Sequence, residues 1–196
     1  MSKKVIYIIP MFKINFIYLI LLSMALTATY KEPQYDLINK DGKIEIRQYS
    51  EYVIAKTSLN QGDIKENNNM FRTLAGYIFG GNVKNESIPM TAPVITQNND
   101  SNYDMIFFML EAEKPNDLPT PNNQNISLEY MDIGKTISIT FGMWATEKRV
   151  DYYKNKLDKY IKKNHIQVKS SLMVAQYNSP WTIPPFRKNE LLYQIK

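Results

Sequence analysis

The sequence predicts an α+β fold made of two β-β-α-β-β halves. Three observations predict it. Two stretches carry apolar residues at helical spacing, Met70–Ile78 and Val150–Ile161, and each is flanked by runs that alternate with period two. The same order of elements recurs at an offset of roughly 80–85 residues. Residues 111–124 hold Pro115, Pro119 and Pro121 among polar residues and read as the loop between the halves.

Alternation begins near Tyr35. Lys43–Gln48 and Tyr52–Ser58 read as a strand pair. Asp63, with Glu66 three residues on, offers a cap for a helix whose stripe is Met70, Phe71, Leu74, Ala75 and Ile78. Gly80 and Gly81 stop that helix. Strands are expected at Met90–Gln97 and Tyr103–Leu110. The second of these is apolar on both faces, as a central strand should be. After the proline loop come Ile126–Met131 and Lys135–Trp144. Thr146 then caps a second helix with the stripe Val150, Tyr153, Leu157, Tyr160 and Ile161, and Lys162 and Lys163 suit its C-terminal dipole. Strands at Ser171–Tyr177 and Asn189–Ile195 close the chain. The helix of each half covers one sheet face, so the other faces must meet each other, either face to face or as a barrel.

The chain has 196 residues, 44% of them hydrophobic, which suffices for one well-buried domain. It has no cysteine, which excludes disulfides, thiolate metal sites and cysteine nucleophiles. Three of its basic residues, Lys3, Lys4 and Lys13, lie among the first 28, where there is no acid. The body is therefore near neutral and gives no reason to expect nucleic acid. Residues 1–28 read as a signal peptide or an N-terminal membrane anchor. They combine a basic start, the apolar run Ile14–Leu26, and small residues Thr27–Thr29. Leu26 is a poor residue two places before Ala28, so cleavage and retention both stay open. The expected location is exported, periplasmic or secreted, or membrane-anchored, with membrane contact only through this segment.

The sequence contains no Gly-x-Ser-x-Gly, no phosphate loop and no paired histidines. No enzyme is expected. His165, the only histidine, follows the second helix among lysines. It reads as a solvated helix-end residue, with an axial metal ligand or a general base as the sharper alternatives.

The candidate site is an apolar groove. Ile88-Pro-Met-Thr-Ala-Pro-Val94 is an apolar piece whose two prolines cannot donate to a ladder, so it belongs at a sheet edge, a bulge or a strand start. Met70, Leu74 and Ile78 can face it, although such a stripe is ordinarily core. Met90, Trp144, Met173 and Trp181 can add polarizable or aromatic surface. The tail Tyr177–Glu190 places Trp181 and three prolines ahead of Arg187 and Lys188. It reads either as a loop packed on Trp181 or as a rim where cations meet ligand carboxylates.

Taken together, Phe71-Arg-Thr-Leu-Ala-Gly-Tyr-Ile-Phe-Gly-Gly-Asn82, Ile88–Val94, Pro180-Trp181, Arg187-Lys-Asn-Glu190 and the opening Ile44-Glu-Ile-Arg-Gln-Tyr49 resemble the SOUL haem-binding protein family over residues 33–196. The halves fall at about 35–110 and 125–196. The plan is also similar to bacterial small-molecule-binding domains of the gyrase-inhibitory type. The resemblance implies a distorted antiparallel β-barrel flanked by two helices. It also implies a non-covalently held tetrapyrrole, chiefly haem, in a groove beside the first helix. The residues this brings forward are Met70, Leu74, Ile78, Met90, Trp181, Arg187, Lys188 and Arg72. Some family members hold iron through a histidine ahead of the first helix, and this sequence has none there. Of the basic residues that pair with propionates in others, only Arg72 and Lys65 lie nearby. The alternatives are a binder of other amphiphilic small molecules and a hydrolase on the same groove.

Overall fold

The computed structural model describes residues 30–60, 67–99 and 101–196. The leader reading of residues 1–28, the cap at Asp63 and the basic Lys65 lie outside the described residues. The element order is β1 (Tyr35–Asp41), β2 (Ile44–Tyr49), β3 (Glu51–Asn60), α1 (Asn67–Ile78), β4 (Val94–Asn98), β5 (Asn102–Phe108), β6 (Ile126–Asp132), β7 (Lys135–Phe141), α2 (Glu147–Lys163), β8 (Met173–Gln176) and β9 (Asn189–Gln194). No described helix is long and apolar enough to cross a membrane.

The nine strands among the described residues join one antiparallel sheet in the order β1-β2-β7-β9-β8-β4-β5-β3-β6. The β-β-α-β-β plan is present twice, as β2-β3-α1-β4-β5 and β6-β7-α2-β8-β9. The expected pairing of β2 with β3 is not formed. β2 pairs with β7, from the second half, and β6 pairs with β3, from the first. Each half thus lends its first strand to the other. Only Ser50 separates β2 from β3, too little chain for a hairpin, so the backbone passes into a different part of the sheet. The true hairpin is β1–β2, turned at Gly42 with φ +59°.

The strand expected from Met90 begins only at Val94, because Pro89 and Pro93 have no N–H to give. Ile88–Pro93 is an irregular approach to the sheet, held by Ile88 N–H to the Ile78 carbonyl, Ala92 N–H to the Lys31 carbonyl, and Thr91 Oγ1 to the Phe108 carbonyl. The strand it leads into is central, between β8 and β5.

Alternation divides the sheet between its two faces. Met105, Phe107 and Met109 pack under α1 with Met70, Leu74, Tyr77 and Ile78. Ile137, Ile139, Phe141, Leu191 and Tyr193 pack under α2 with Val150, Tyr153, Leu157, Tyr160 and Ile161. Ile54, Ile95, Ile106, Phe108, Met173, Ala175 and Leu192 form a third core on the opposite face. Strands from both halves meet there as the sheet curls on itself, a half-barrel with both helices outside. Thr146 occupies the N-cap position of α2, but its hydroxyl makes no cap bond.

The end of α1 is fixed by close backbone contact. Gly80 has φ +102°, and the Gly81 N–H donates to the Gly76 carbonyl at 2.8 Å. Asn82 is fully buried just beyond. Its amide donates to the carbonyls of Tyr77 and Glu86, and its Oδ1 accepts from the N–H groups of Lys84 and Glu86. The proline loop is pinned to the same place, with Tyr77 Oη donating to the Pro119 carbonyl at 2.9 Å. Burial pushes the Tyr77 phenol up to about 12.

Candidate functional site

A channel runs along the outer sheet face between α1 and the turn that leads into α2. Its floor crosses the seam where β4 meets β8: Val94 and Thr96 from β4, Gln176 opposite Val94, and Met105 from β5. Phe71 of α1 forms one wall. Trp144, from the turn before α2, and Arg187, Asn178 and Pro180, from the β8–β9 loop, form the other. The groove holds about 460 Å³, within the usual span of ligand sites.

Arg187 organises this wall. Its Cζ sits 3.9 Å from the centre of the Trp144 ring, and its Nη1 donates to the carbonyls of Ser179 (3.2 Å) and Thr182 (2.9 Å). Burial lowers its pKa from the usual arginine value, but a guanidinium stays charged in a protein. Both carbonyl bonds use Nη1, so Nε and Nη2 have no partner among the described residues. Asn189 ties the same two loops together by donating Nδ2–H to the carbonyls of Phe141 and Met143.

The other face of the sheet offers much less room. A space of about 20 Å³ lies among Tyr35, Tyr49, Phe108, Tyr177 and Leu192, roofed by Glu32 and Pro33. That is room for about one water. At its side Arg47 and Glu190 form a buried ion pair, and Tyr177 donates to the same carboxylate at 2.6 Å. The segment 30–34 straps this face: Lys188 pairs with Glu32 at 3.0 Å, Lys31 pairs with Glu111, and Tyr52 Oη donates to the Gln34 carbonyl.

The predicted site residues scatter across these regions. Met70, Leu74 and Ile78 are core beneath α1, not an open wall. The helix meets the groove through the neighbouring Phe71, whose ring packs edge-on against Phe107. Met90 packs half-buried against the same core, and Met173 is fully buried on the inner face. Arg72 is exposed on α1. Trp181 is not what its loop packs on. It is 91% exposed, and the loop folds around Arg187 instead. Arg187 and Lys188 do not act together: Arg187 lines the outer groove, while Lys188 lies 3.7 Å from the Tyr177 ring centre on the inner face. His165 is exposed at the C-terminal end of α2 with φ +53°. A helix of 17 residues, about 25 Å at 1.5 Å per residue, separates it from Trp144.

Thr96, Met105 and Gln176 were missed as site residues, while Val94 and Asn178 fall within the two segments already singled out. The only signal of the missed three is alternation on β4, β5 and β8, and the sequence does not reveal that β4 and β8 are neighbours.

The sequence model of the SOUL heme-binding protein family matches residues 30–194. The chain belongs to that family. No curated protein matches it as a relative. Among solved structures it is similar to the C-terminal domain of EcmrR, at 8% identity and TM-score 0.60, covering 83% of this chain and 98% of that one. It is also similar to an uncharacterized conserved protein from Listeria innocua, at 8% identity and TM-score 0.59, covering 79% and 92%. A hydrolase from Listeria innocua follows at 8% identity and TM-score 0.53, covering 81% and 94%. At such identities the likeness concerns the fold alone.

For this SOUL family member, the family signatures in the sequence are structural couplings. Asn82 knots the end of α1, Thr91 anchors the approach to β4, and Asn189 and Glu190 bind the second half to the loops and to β2.

Proposed function

We propose that this protein binds a tetrapyrrole, held non-covalently in the groove between α1 and the Trp144–Arg187 wall. The observation that carries the reading is the pairing of aromatic and apolar surface (Phe71, Val94, Met105, Trp144) with one cation, Arg187, that has donors to spare. Family membership supports the ligand class. A planar macrocycle gains about 2.5 kcal/mol per 100 Å² of apolar area removed from water, before ordering costs. Its carboxylates suit the guanidinium fork.

The donor set fits the macrocycle better than the iron. No histidine lines the groove, and no cluster of three or more His, Cys, Asp or Glu able to hold a metal occurs among the described residues. The Met105 thioether is the soft donor in the lining. In this reading the chain's own residues stack on the ring and orient its carboxylates. The lining pairs no nucleophile with a base, which favours binding over catalysis in this reading. Thr96, Gln176 and Asn178 make the lining partly polar, which favours other amphiphiles as the second reading. A thermal-shift panel of porphyrins against lipophilic cations separates the two. The sequence of residues 1–28 supports an exported or membrane-anchored location for the same activity.

The test is a haemin titration followed at the Soret band. The wild type gives a saturable shift at micromolar haemin. Phe71→Asp weakens it tenfold or more, while Phe79→Asp, exposed just past the same helix, leaves it unchanged. A titration no steeper than that of an unrelated carrier protein removes the reading.

A further inference from the structure

The β8–β9 loop presents an apolar surface that the groove does not use. Trp181 is 91% exposed, Phe186 58% and Ile183 49%, and Trp144 beside them is 47% exposed. An exposed cluster of large apolar side chains marks a surface that meets something less polar than water.

Part of the backbone of this loop is satisfied from within. The carbonyls of Ser179 and Thr182 accept from Arg187 Nη1. Thr182 N–H donates to the Ser179 carbonyl, Phe186 N–H to the Ile183 carbonyl, and Arg187 N–H to the Pro184 carbonyl. Pro180, Pro184 and Pro185 have no N–H at all. A loop that turns apolar side chains outward and leaves few of its peptide N–H groups unpaired suits the boundary of an acyl region better than a fully open one. Tryptophan is the residue best suited to the boundary between headgroups and acyl chains. Trp144 leads into α2, whose first turn holds Lys148 and Arg149 beside Glu147 and which is net basic along its length. Lys148 and Arg149 complement anionic headgroups.

We propose that this rim docks on a lipid bilayer through Trp181, Ile183 and Phe186, with the groove between α1 and the Trp144–Arg187 wall opening at the membrane surface. Pro180, Trp144 and Arg187 belong to both the groove and the base of the rim. An amphiphilic ligand therefore passes between bilayer and groove without crossing water. The route rests on the groove reading; the docking does not.

The chain has two tryptophans, and the first 29 residues contain neither, so Trp181 reports the rim separately from the N-terminal segment. The full chain carrying Trp144→Phe is mixed with vesicles of phosphatidylcholine and phosphatidylglycerol brominated in the acyl chains. Trp181 emission is expected to shift to the blue and to fall by about half or more. Adding Ile183→Ser and Phe186→Ser returns it toward the lipid-free spectrum. Emission that stays at the solvent-exposed wavelength and unquenched overturns the proposal. A blue shift that grows with protein concentration in the absence of vesicles also overturns it, in favour of a second copy of the chain. A failed haemin titration with intact bromolipid quenching removes the groove reading alone.

Discussion

Arg47 on β2 grips Glu190 on β9 with both arms of its guanidinium, at 2.9 and 2.8 Å, although β7 lies between the two strands. The pair is buried. Arg47 is held further by Glu45 at 2.6 Å, and Glu190 by Tyr177 and Thr140. It couples the first strand of one half to the last strand of the other.

Breaking one side of this pair is expected to be severe. Glu190→Ala leaves Arg47 charged and buried, and the expected loss is about 3–5 kcal/mol, read as a lower denaturant midpoint. Replacing both partners with Met and Leu is expected to restore much of that stability. A double variant as unstable as Glu190→Ala alone contradicts the account.

The same pair sets a pH dependence. Burial pushes the Glu190 carboxyl up, but the hydrogen bonds and charge of Arg47 outweigh it and hold the group below its usual value. Its stabilisation is thus complete above the ordinary carboxylate value of about 4.3 and is lost as pH falls through the lower folded-state value. Glu190→Gln is expected to flatten the acid limb of stability against pH. An acid limb of unchanged slope would falsify this assignment.

Core and groove separate on α1. Leu74→Ala is expected to cost about 2–5 kcal/mol of stability, because Leu74 is fully buried under the helix. Haemin affinity of the remaining folded protein is expected to stay within about twofold. Phe71→Asp is expected to show the reverse balance. Calorimetry beside the Soret titration checks both.

His165→Gly is expected to stabilise by about 0.5–1 kcal/mol, since the residue sits in the left-handed region that glycine occupies without strain. The electron paramagnetic resonance spectrum of any haemin complex is expected to be unchanged. A changed axial signal returns His165 to the ligand set.

Gly81→Ala tests the turn that ends α1. A Cβ there meets the Gly76 carbonyl oxygen at 2.6 Å, and that oxygen belongs to the backbone of the helix, which cannot swing away. A loss of about 1–3 kcal/mol is expected in the melting profile, with the groove side of α1 displaced.

Residue order alone determined both helices and strands β2 to β9, that the plan occurs twice, and that β5 is central; β1 shows in it only as alternation beginning near Tyr35. Periodicity records which faces must be dry, and local turn chemistry records where elements stop. Tertiary structure alone decided that β2 and β6 cross to the opposite half, that Phe71 and not Met70 or Leu74 borders the groove, and that Arg187 and Lys188 serve opposite faces of the sheet. A stripe of apolar residues looks the same to the sequence whether it meets its own sheet or a ligand. Only the packing of distant strands distinguishes the two.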